Sequence, residues 1–328
     1  MNTAGKLSAY GVALALVAGG AWAIGSAVGP LDEKNAAPAK DAGHGDAHSG
    51  TVAETGQAAS SALPAGLASS RGGYTFTPAA TTLAKGPNTF SFRVTGPDGK
   101  PVTRFDVEHE KRMHLIVVRR DTAGFQHVHP TMAADGTWSV PLTLDDPGSY
   151  RAFADFAPTG GEATTLGVDL AVPGDFRPAE HAASRVSTVD GYQVTLDGDL
   201  TPGRTAELTL TVSKDGKPVT DLQPYLGAYG HLVALRVGDL AYLHVHPDGE
   251  PGDGRTEPGP TVTFYAEVPS AGAYRLFLDF QHGDTVRTAE FTLATDGHAL
   301  PRPAPAPAGS GGHADEHAGD DADGHGHN

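Results

Sequence analysis

Two stretches of the chain share one pattern, and that pattern decides the fold. The first is Met113-His-Leu-Ile-Val-Val-Arg-Arg120 followed by Phe125-Gln-His-Val-His-Pro130; the second is Gly230-His-Leu-Val-Ala-Leu-Arg236 followed by Tyr242-Leu-His-Val-His-Pro247. Each stretch has two runs rich in β-branched and aromatic residues around a short turn, which is the pattern of a β-hairpin. Each also carries one histidine on its first run and a His-x-His pair on its second.

The repeat extends well beyond the two hairpins. Asp98-Gly-Lys-Pro-Val-Thr103 recurs as Asp215-Gly-Lys-Pro-Val-Thr220, and Tyr150-Arg-Ala-Phe-Ala-Asp-Phe156 recurs as Tyr274-Arg-Leu-Phe-Leu-Asp-Phe280. Short alternating runs separated by Gly-, Pro- and Asp-rich turns fill both copies, and about seven short strands in some 100 residues are typical of an Ig-like sandwich. The sequence therefore predicts an all-β chain with a tandem repeat of two Ig-like, cupredoxin-like β-sandwich domains. Their predicted bounds are residues 72–175 and 187–296, with a linker at 176–186.

The segments outside these domains differ in composition. Residues 8–28 carry no charge, and about 20 such residues span a bilayer as a helix, so residues 1–30 are predicted to be an uncleaved transmembrane anchor, with a cleaved signal segment as the alternative. Lys6 before the span and acidic residues after it predict a single-pass protein of the cytoplasmic membrane whose domains face the extracellular or periplasmic side. Residues 31–71 are predicted to be a disordered linker, and residues 297–328 a disordered tail rich in His and Asp.

Charge and cysteine content exclude several function classes. The chain has 39 acidic and 23 basic residues, for a net charge of −16, which argues against a nucleic-acid partner. It has no cysteine, which excludes disulfides, a thiolate nucleophile, Cys-based zinc sites and a blue-copper centre. The sequence contains no Ser-His-Asp, P-loop or dinucleotide motif, and it predicts a protein that is not an enzyme.

The hairpin register brings the histidines together. A turn at Gly238-Asp239 would place His231 opposite His246, and side chains two residues apart on a strand share a face. Directly opposed Cβ atoms lie about 5 Å apart, within the reach of imidazoles around one ion. Three imidazoles from two strands are a ligand set for Cu(II) or Zn(II), so each domain is predicted to hold one metal ion. The predicted ligands are His114, His127 and His129 in the first domain and His231, His244 and His246 in the second.

Asp155 and Asp279 occupy matching positions of the repeat. One predicted role is a fourth metal ligand, or a carboxylate that fixes the tautomer of a ligand histidine. The alternative is a local ion pair with Arg151 or Arg275, which share a face with these aspartates.

Residues 111–121 (Lys-Arg-Met-His-Leu-Ile-Val-Val-Arg-Arg-Asp), together with residues 125–130, resemble bacterial exported proteins with Ig-like domains of the YtkA-like type. These are loosely related in architecture to the CopC-like copper-resistance domains. The resemblance covers the first hairpin and the strand ending at Phe156, and the second copy more weakly. It implies a membrane-anchored or secreted β-sandwich that handles heavy metals.

Three function classes remain open from the sequence. The first is a metal binder outside the membrane: a copper or zinc chaperone, buffer or sensor. The second is a non-catalytic Ig-like interaction or structural module that meets a protein partner in the cell envelope, with incidental histidines. The third, a metalloenzyme of the superoxide dismutase type, ranks last because a copper–zinc pair needs more histidines than one copy supplies.

Overall fold

Two β-sandwiches form the part of the chain that the computed structural model describes, residues 64–243 and 245–295. The predicted anchor, the predicted tail and most of the predicted linker lie outside these ranges. None of the described residues belongs to a helix that is long and apolar enough to cross a membrane. The described residues all fall within one compact unit, Ser60–Asn328.

The first domain consists of two antiparallel sheets. Its strands are β1 (Ser70–Arg71), β2 (Tyr74–Pro78), β3 (Gly86–Thr95), β4 (His114–Arg119), β5 (Gln126–Val128), β6 (Thr131–Met132), β7 (Trp138–Leu144), β8 (Gly148–Phe156) and β9 (Thr164–Val172). The order in one sheet is β1-β2-β3-β7-β6, and the order in the other is β5-β4-β8-β9. Apolar side chains from the two facing surfaces form the core of this domain.

The second domain repeats this arrangement. Its strands are β10 (Val186–Val189), β11 (Tyr192–Asp197), β12 (Arg204–Lys214), β13 (Lys217–Pro218), β14 (His231–Arg236), β15 (Tyr242–Leu243), β16 (Val245–Pro247), β17 (Thr261–Val268), β18 (Ala273–His282) and β19 (Thr285–Ala294). One sheet has the order β10-β11-β12-β17-β16, with β13 paired to β12, and the other has the order β15-β14-β18-β19. The predicted all-β tandem of sandwiches is therefore confirmed.

The two sheets of each domain differ in how deeply their strands are buried. Strand β7 alternates between fully and less buried positions, as expected where one face of a sheet meets the core and the other meets solvent. Strand β4 is buried at every position, and β18 is buried from Ala273 to Phe280. Both faces of these strands are covered because the sheets that carry them pack against each other across the domain boundary.

Side chains of the repeat contact each other at this boundary. The ring of Phe125 stacks on Phe277, with centroids 4.0 Å apart and planes 4° from parallel, and the ring of Tyr242 lies 5.8 Å from that of Phe153. Phe125 and Tyr242 are repeat counterparts, as are Phe153 and Phe277, so both domains use the same surface. We call the apolar contact the inter-domain cluster; its buried members are Ile116, Val118, Phe153, Val233, Leu235, Leu240 and Phe277.

A short segment before the first strand, which we call the strap (residues 65–68), bonds to both domains. The carbonyl of Ala65 accepts a hydrogen bond from the Tyr242 amide at 3.1 Å, and the Gly66 amide donates to Thr165 at 3.1 Å. The Gly66 carbonyl accepts from Nε and Nη2 of Arg151 at 3.0 and 2.7 Å. Gly66 has φ +73°, and a Cβ there would lie 2.5 Å from the Phe153 ring, so only glycine fits. The end of the segment predicted as linker thus closes the junction between the domains.

The register of the first hairpin is the predicted one. Leu115 pairs with Val128 and Ile116 with His127, which brings His114 level with His129 just past the end of the ladder. After Pro130 the chain crosses to the other sheet, where β6 pairs with β7.

The second hairpin keeps its register but ends earlier than predicted. Leu235 pairs with Tyr242, and the chain then leaves the sheet, because β16 pairs with β17 of the opposite sheet. His231 is therefore not opposite His246; on the other side of β14 it pairs with Asp279 on β18, as His114 pairs with Asp155 on β8. The predicted two-residue turn is replaced by a longer loop, closed by the Arg236 amide donating to the Ala241 carbonyl at 3.0 Å. Leu240 in this loop adopts φ +61° because its side chain is buried in the inter-domain cluster.

Candidate metal centre

Three histidines of the first domain converge at the inter-domain boundary. One ring nitrogen from each of His114, His127 and His129 lies within 4.8 Å of the others. The ring centroids are 4.9 to 5.4 Å apart. Strand alternation explains the convergence. His114 lies two residues before Ile116 and shares its face of β4, and His127 lies on the same face because it pairs with Ile116. This face is turned toward the second domain, since Ile116 belongs to the inter-domain cluster.

The second domain supplies a partner for this triad. His127 Nδ1 lies 2.8 Å from Oδ2 of Asp279 on β18, and both side chains are almost completely buried. The other oxygen of Asp279 accepts a hydrogen bond from the Thr288 hydroxyl at 2.6 Å. A carboxylate that holds one nitrogen of a histidine fixes the tautomer and the orientation of the ring, as it does behind metal-bound histidines.

The hydrogen-bond partners determine where the ring protons are. Nε2 of His114 lies 3.0 Å from the carbonyl of Glu108, which can only accept, so this nitrogen carries a proton. Nδ1 of His127 carries one because it donates to the Asp279 carboxylate. In neutral rings the remaining nitrogens, His114 Nδ1 and His127 Nε2, both present lone pairs, and they are 3.1 Å apart. Only a cation between them, a proton or a metal ion, resolves this contact.

Burial disfavours protonation of His114 and of His129. Desolvation lowers the pKa of His114 to about 4, and the Glu108 carbonyl offsets this only in part. Desolvation, followed by the nearby His127 and His114, lowers the pKa of His129 to about 3. His129 Nε2 is also buried without a hydrogen-bond partner among the described residues. Neutral imidazoles with unused lone pairs are the form of histidine that binds metal ions.

The geometry suits a transition-metal ion. Metal–nitrogen bonds of about 2.0–2.1 Å at tetrahedral angles separate two ligand nitrogens by about 3.3 Å, close to the 3.1 Å between His114 and His127. A donor set of imidazoles alone matches Zn(II) and Cu(II), as the sequence predicts.

The predicted ligands of the second domain are distributed differently. The ring of His231 stacks on that of His114 at 5.6 Å and lies 4.8 Å from that of His127. His246 is exposed on β16, and His244 lies outside the described residues. The structure therefore brings His231 to the triad of the first domain.

The two predicted aspartates take related positions. Asp279 contacts His127, while Asp155 is opposite His114 in the β4–β8 ladder and accepts a hydrogen bond from the Thr165 hydroxyl at 2.8 Å. The arginines on the same strands have other carboxylate partners: Arg151 pairs with Asp169, and Arg275 pairs with Glu290. Asp279 therefore has the position of a carboxylate that orients a histidine.

Three groups at this site could not be identified from the repeated sequence pattern. His109, in an exposed loop, has its ring 5.6 Å from His231, but its repeat counterpart is Leu226. The ring of Tyr225 lies 6.4 Å from His129, and burial, with a smaller effect from Asp279, raises its pKa to about 12. The Glu108 acceptor is a backbone carbonyl, which any residue type provides.

A cavity of about 800 Å³ opens beside the cluster. Its walls include His109, His114, His231, His246 and Asp155, and the strap residue Ala65 lies at its edge. His114 is the member of the triad that lines this cavity.

Comparisons with known proteins give structural neighbours of low sequence identity and one sequence family. No curated protein matches the chain. A mutant alpha-2-macroglobulin of Salmonella is similar at 14% identity and a TM-score of 0.25, over 70% of this chain and 15% of that one. A membrane-anchored protein of Corynebacterium diphtheriae, described as putative, is similar at 11% identity and a TM-score of 0.21, over 70% of this chain and 59% of that one. The chain thus spans less than two thirds of either protein.

The Ig1-2 module of a Drosophila receptor protein tyrosine phosphatase is similar at 10% identity and a TM-score of 0.19, over 68% of this chain and 98% of that one. Scores this low carry no assignment of function. The resemblance to YtkA-like and CopC-like domains stays a prediction, as does the metal handling that it implies. A sequence family does match both repeats, at residues 68–174 and 187–297, and its description is a domain of unknown function (DUF8832). Because these matches cover more than half of its length, the chain belongs to the DUF8832 family.

Proposed function

We propose that this protein is a non-catalytic metal-binding protein that takes Cu(II) or Zn(II) at the triad of His114, His127 and His129. The observation that carries the proposal is the pair of lone-pair nitrogens, His114 Nδ1 and His127 Nε2, fixed 3.1 Å apart by partners on their far sides. A buried pair of this kind is costly in the metal-free protein, and a cation turns the same geometry into two bonds.

The rest of the proposal follows from the sequence. With residues 1–30 as a membrane anchor, the domains operate outside the cytoplasm as a metal buffer, chaperone or sensor. The His- and Asp-rich tract at residues 297–328 then serves as a low-affinity collector of ions. The acidic net charge of −16 favours cations and disfavours nucleic acid as a partner.

A second candidate function is an interaction module of the cell envelope in which the histidines are structural. The observation that favours it is the position of the rings at a packed domain boundary, where burial keeps His114 and His129 neutral. Neutral imidazoles can pack as flat polar rings beside the inter-domain cluster, and the two-domain unit would then present its outer sheets to a protein partner.

Metal titration of the full chain separates the two candidates. The histidines of the N-terminal linker (residues 31–71) and of the C-terminal tail (residues 297–328) are first replaced by alanine so that they do not bind the added ion; they are His44, His48, His298, His313, His317, His325 and His327. Calorimetry with Cu(II) and with Zn(II) is expected to show binding at micromolar or lower concentration. The pair His127→Ala and His129→Ala should abolish it, and His282→Ala, a histidine bonded to Tyr192 away from the cluster, should leave it unchanged. Binding only in the millimolar range would reject metal binding and leave the interaction module.

A further inference from the structure

We infer that His231 of the second domain is a fourth ligand, so that one metal ion is shared by both domains. This inference rests on the proposed function, and it replaces the sequence prediction of one ion in each domain with one ion at the domain boundary. It also assigns each domain a distinct part in the site.

The position of His231 follows from its strand. It shares a face of β14 with Val233 and Leu235, and both of these are buried in the inter-domain cluster. His231 therefore projects from the second domain toward the first. Its ring is almost parallel to that of His114, with an interplanar angle of 6° and a centroid distance of 5.6 Å, and it is closer still to His127, at 4.8 Å.

One ring nitrogen of His231, Nδ1, is available to an ion. This atom is buried and has no hydrogen-bond partner among residues 64–243 and 245–295. A buried polar atom without a partner destabilises the protein, and a metal ion bound to it would remove that cost. His129 Nε2 is in the same condition, so among the described residues each domain contributes one buried ring nitrogen without a partner to this cluster.

The second domain also supplies the carboxylate of the site. His231 and Asp279 are directly opposite each other in the β14–β18 ladder. The Asp279 carboxylate accepts a hydrogen bond from His127 Nδ1, and the ring of His231 lies 4.8 Å from the ring of His127. Two neighbouring positions on one sheet thus provide a ligand and an orienting group for an ion that the first domain binds with three histidines.

Coordination chemistry explains why a fourth histidine matters. Four protein ligands close a tetrahedral site, whereas catalytic zinc sites keep one position open for water. An ion held by His114, His127, His129 and His231 has no open position, which fits the proposed non-catalytic role. The ion reaches the site through the cavity lined by His109, His231 and His246.

The number of bound nitrogens tests the inference. The chain that lacks the histidines of residues 31–71 and 297–328 is loaded with Cu(II), and the nitrogen hyperfine pattern in its electron paramagnetic resonance spectrum is recorded together with affinity and stoichiometry. We expect one ion per chain and four nitrogens. His231→Phe, which keeps a flat ring but has no ligand atom, should leave three nitrogens and lower the affinity at least tenfold, and His282→Ala should change neither.

Two other outcomes overturn the inference. If His231→Phe binds as tightly as the parent chain while His127→Ala does not, metal binding stands and His231 is not a ligand. If the parent chain binds two ions and His231→Phe loses only one of them, each domain has its own site. A failure of the parent chain to bind at all overturns the proposed function itself. Far-ultraviolet circular dichroism confirms that each variant is folded, and His231→Gln replaces His231→Phe if the larger ring prevents folding.

Discussion

Asp279 of the second domain accepts a hydrogen bond from Nδ1 of His127 in the first domain, at 2.8 Å. The side chains on both sides are almost fully buried, with exposures of 1% for His127 and 4% for Asp279. This contact connects the histidine triad to the other domain and makes the site dependent on the way the two sandwiches pack.

The first prediction concerns this contact. Asp279→Asn should weaken Cu(II) and Zn(II) binding by about 10- to 100-fold, because the amide no longer holds the His127 ring as a carboxylate does. Competition with a chelator of known affinity measures the change. Glu290→Gln is the matched control, since it removes a carboxylate that pairs with Arg275 elsewhere on the same sheet. Equal affinities in the two variants would show that Asp279 does not orient a ligand.

The second prediction is a pH dependence of stability in the metal-free protein. Burial lowers the pKa of His114 from 6.5 to about 4, so below pH 6.5 the unfolded chain takes up a proton that the folded chain does not. This contribution to stability is complete above pH 6.5 and is lost as the pH falls toward 4, at a cost on the order of 3 kcal/mol. Urea unfolding between pH 7.5 and 4, with a chelator present, measures it.

Burial also lowers the pKa of His129, to about 3, and that of His231, so these histidines contribute to the same profile and a variant is needed to isolate the effect of His114. His114→Asn has no group that titrates in this window, and its free energy of unfolding should fall less steeply than that of the parent between pH 6.5 and 4. Parallel profiles would mean that His114 titrates alike in the folded and unfolded chains.

The third prediction concerns the contact between the domains. Phe125→Ala removes a ring that stacks on Phe277 at 4.0 Å and should lower the free energy of unfolding by about 2–3 kcal/mol. Chemical unfolding followed by intrinsic fluorescence checks this value. Phe176→Ala is the control, since Phe176 is 47% exposed and should cost less than about 1 kcal/mol. If Phe125→Ala lowers the free energy of unfolding no more than Phe176→Ala does, the inter-domain cluster contributes little to stability.

The fourth prediction concerns the strap. A Cβ at Gly167 would lie 2.0 Å from the carbonyl oxygen of Gly66, so Gly167→Ala should push the strap away from β9 and cost about 1–3 kcal/mol. Faster proteolysis near residues 64–71 should accompany the loss. Gly99→Ala serves as the comparison, because it has φ +75° with open space around it and carries only the conformational cost of about 1 kcal/mol. If both variants are cut at the parent rate, the strap does not depend on the Gly66–Gly167 contact.

The sequence predicts the local structure of the site well because that structure depends on alternation. The period of two along β4 and β5 places His114 and His127 on one face, and the hairpin register follows from the repeated pattern. The matching positions of Asp155 and Asp279 in the repeat make both of them candidates for a carboxylate that acts with the histidines. Both sandwich domains can likewise be predicted from turn signals and the repeat.

The assembly of the site could not be predicted, because it depends on contacts between distant parts of the chain. His127 and Asp279 meet only because two sheets pack face to face, and the spacing of repeats contains no information about that packing. The exit of the second hairpin after Leu243 also depends on pairing with β17 in the opposite sheet, which local propensity does not specify. The prediction of one metal ion in each domain rests on the register within each hairpin and includes no contact between the domains.

The reciprocal contacts of Phe125 with Phe277 and of Tyr242 with Phe153 have a consequence for assembly. The same surface of each domain contacts its counterpart on the other domain. This is the isologous arrangement of a two-fold homodimer, here formed within one polypeptide. An isologous contact closes on itself after two copies and cannot propagate into a fibre. The duplicated chain therefore carries a dimer-like interface within one polypeptide, where its occupancy does not depend on protein concentration.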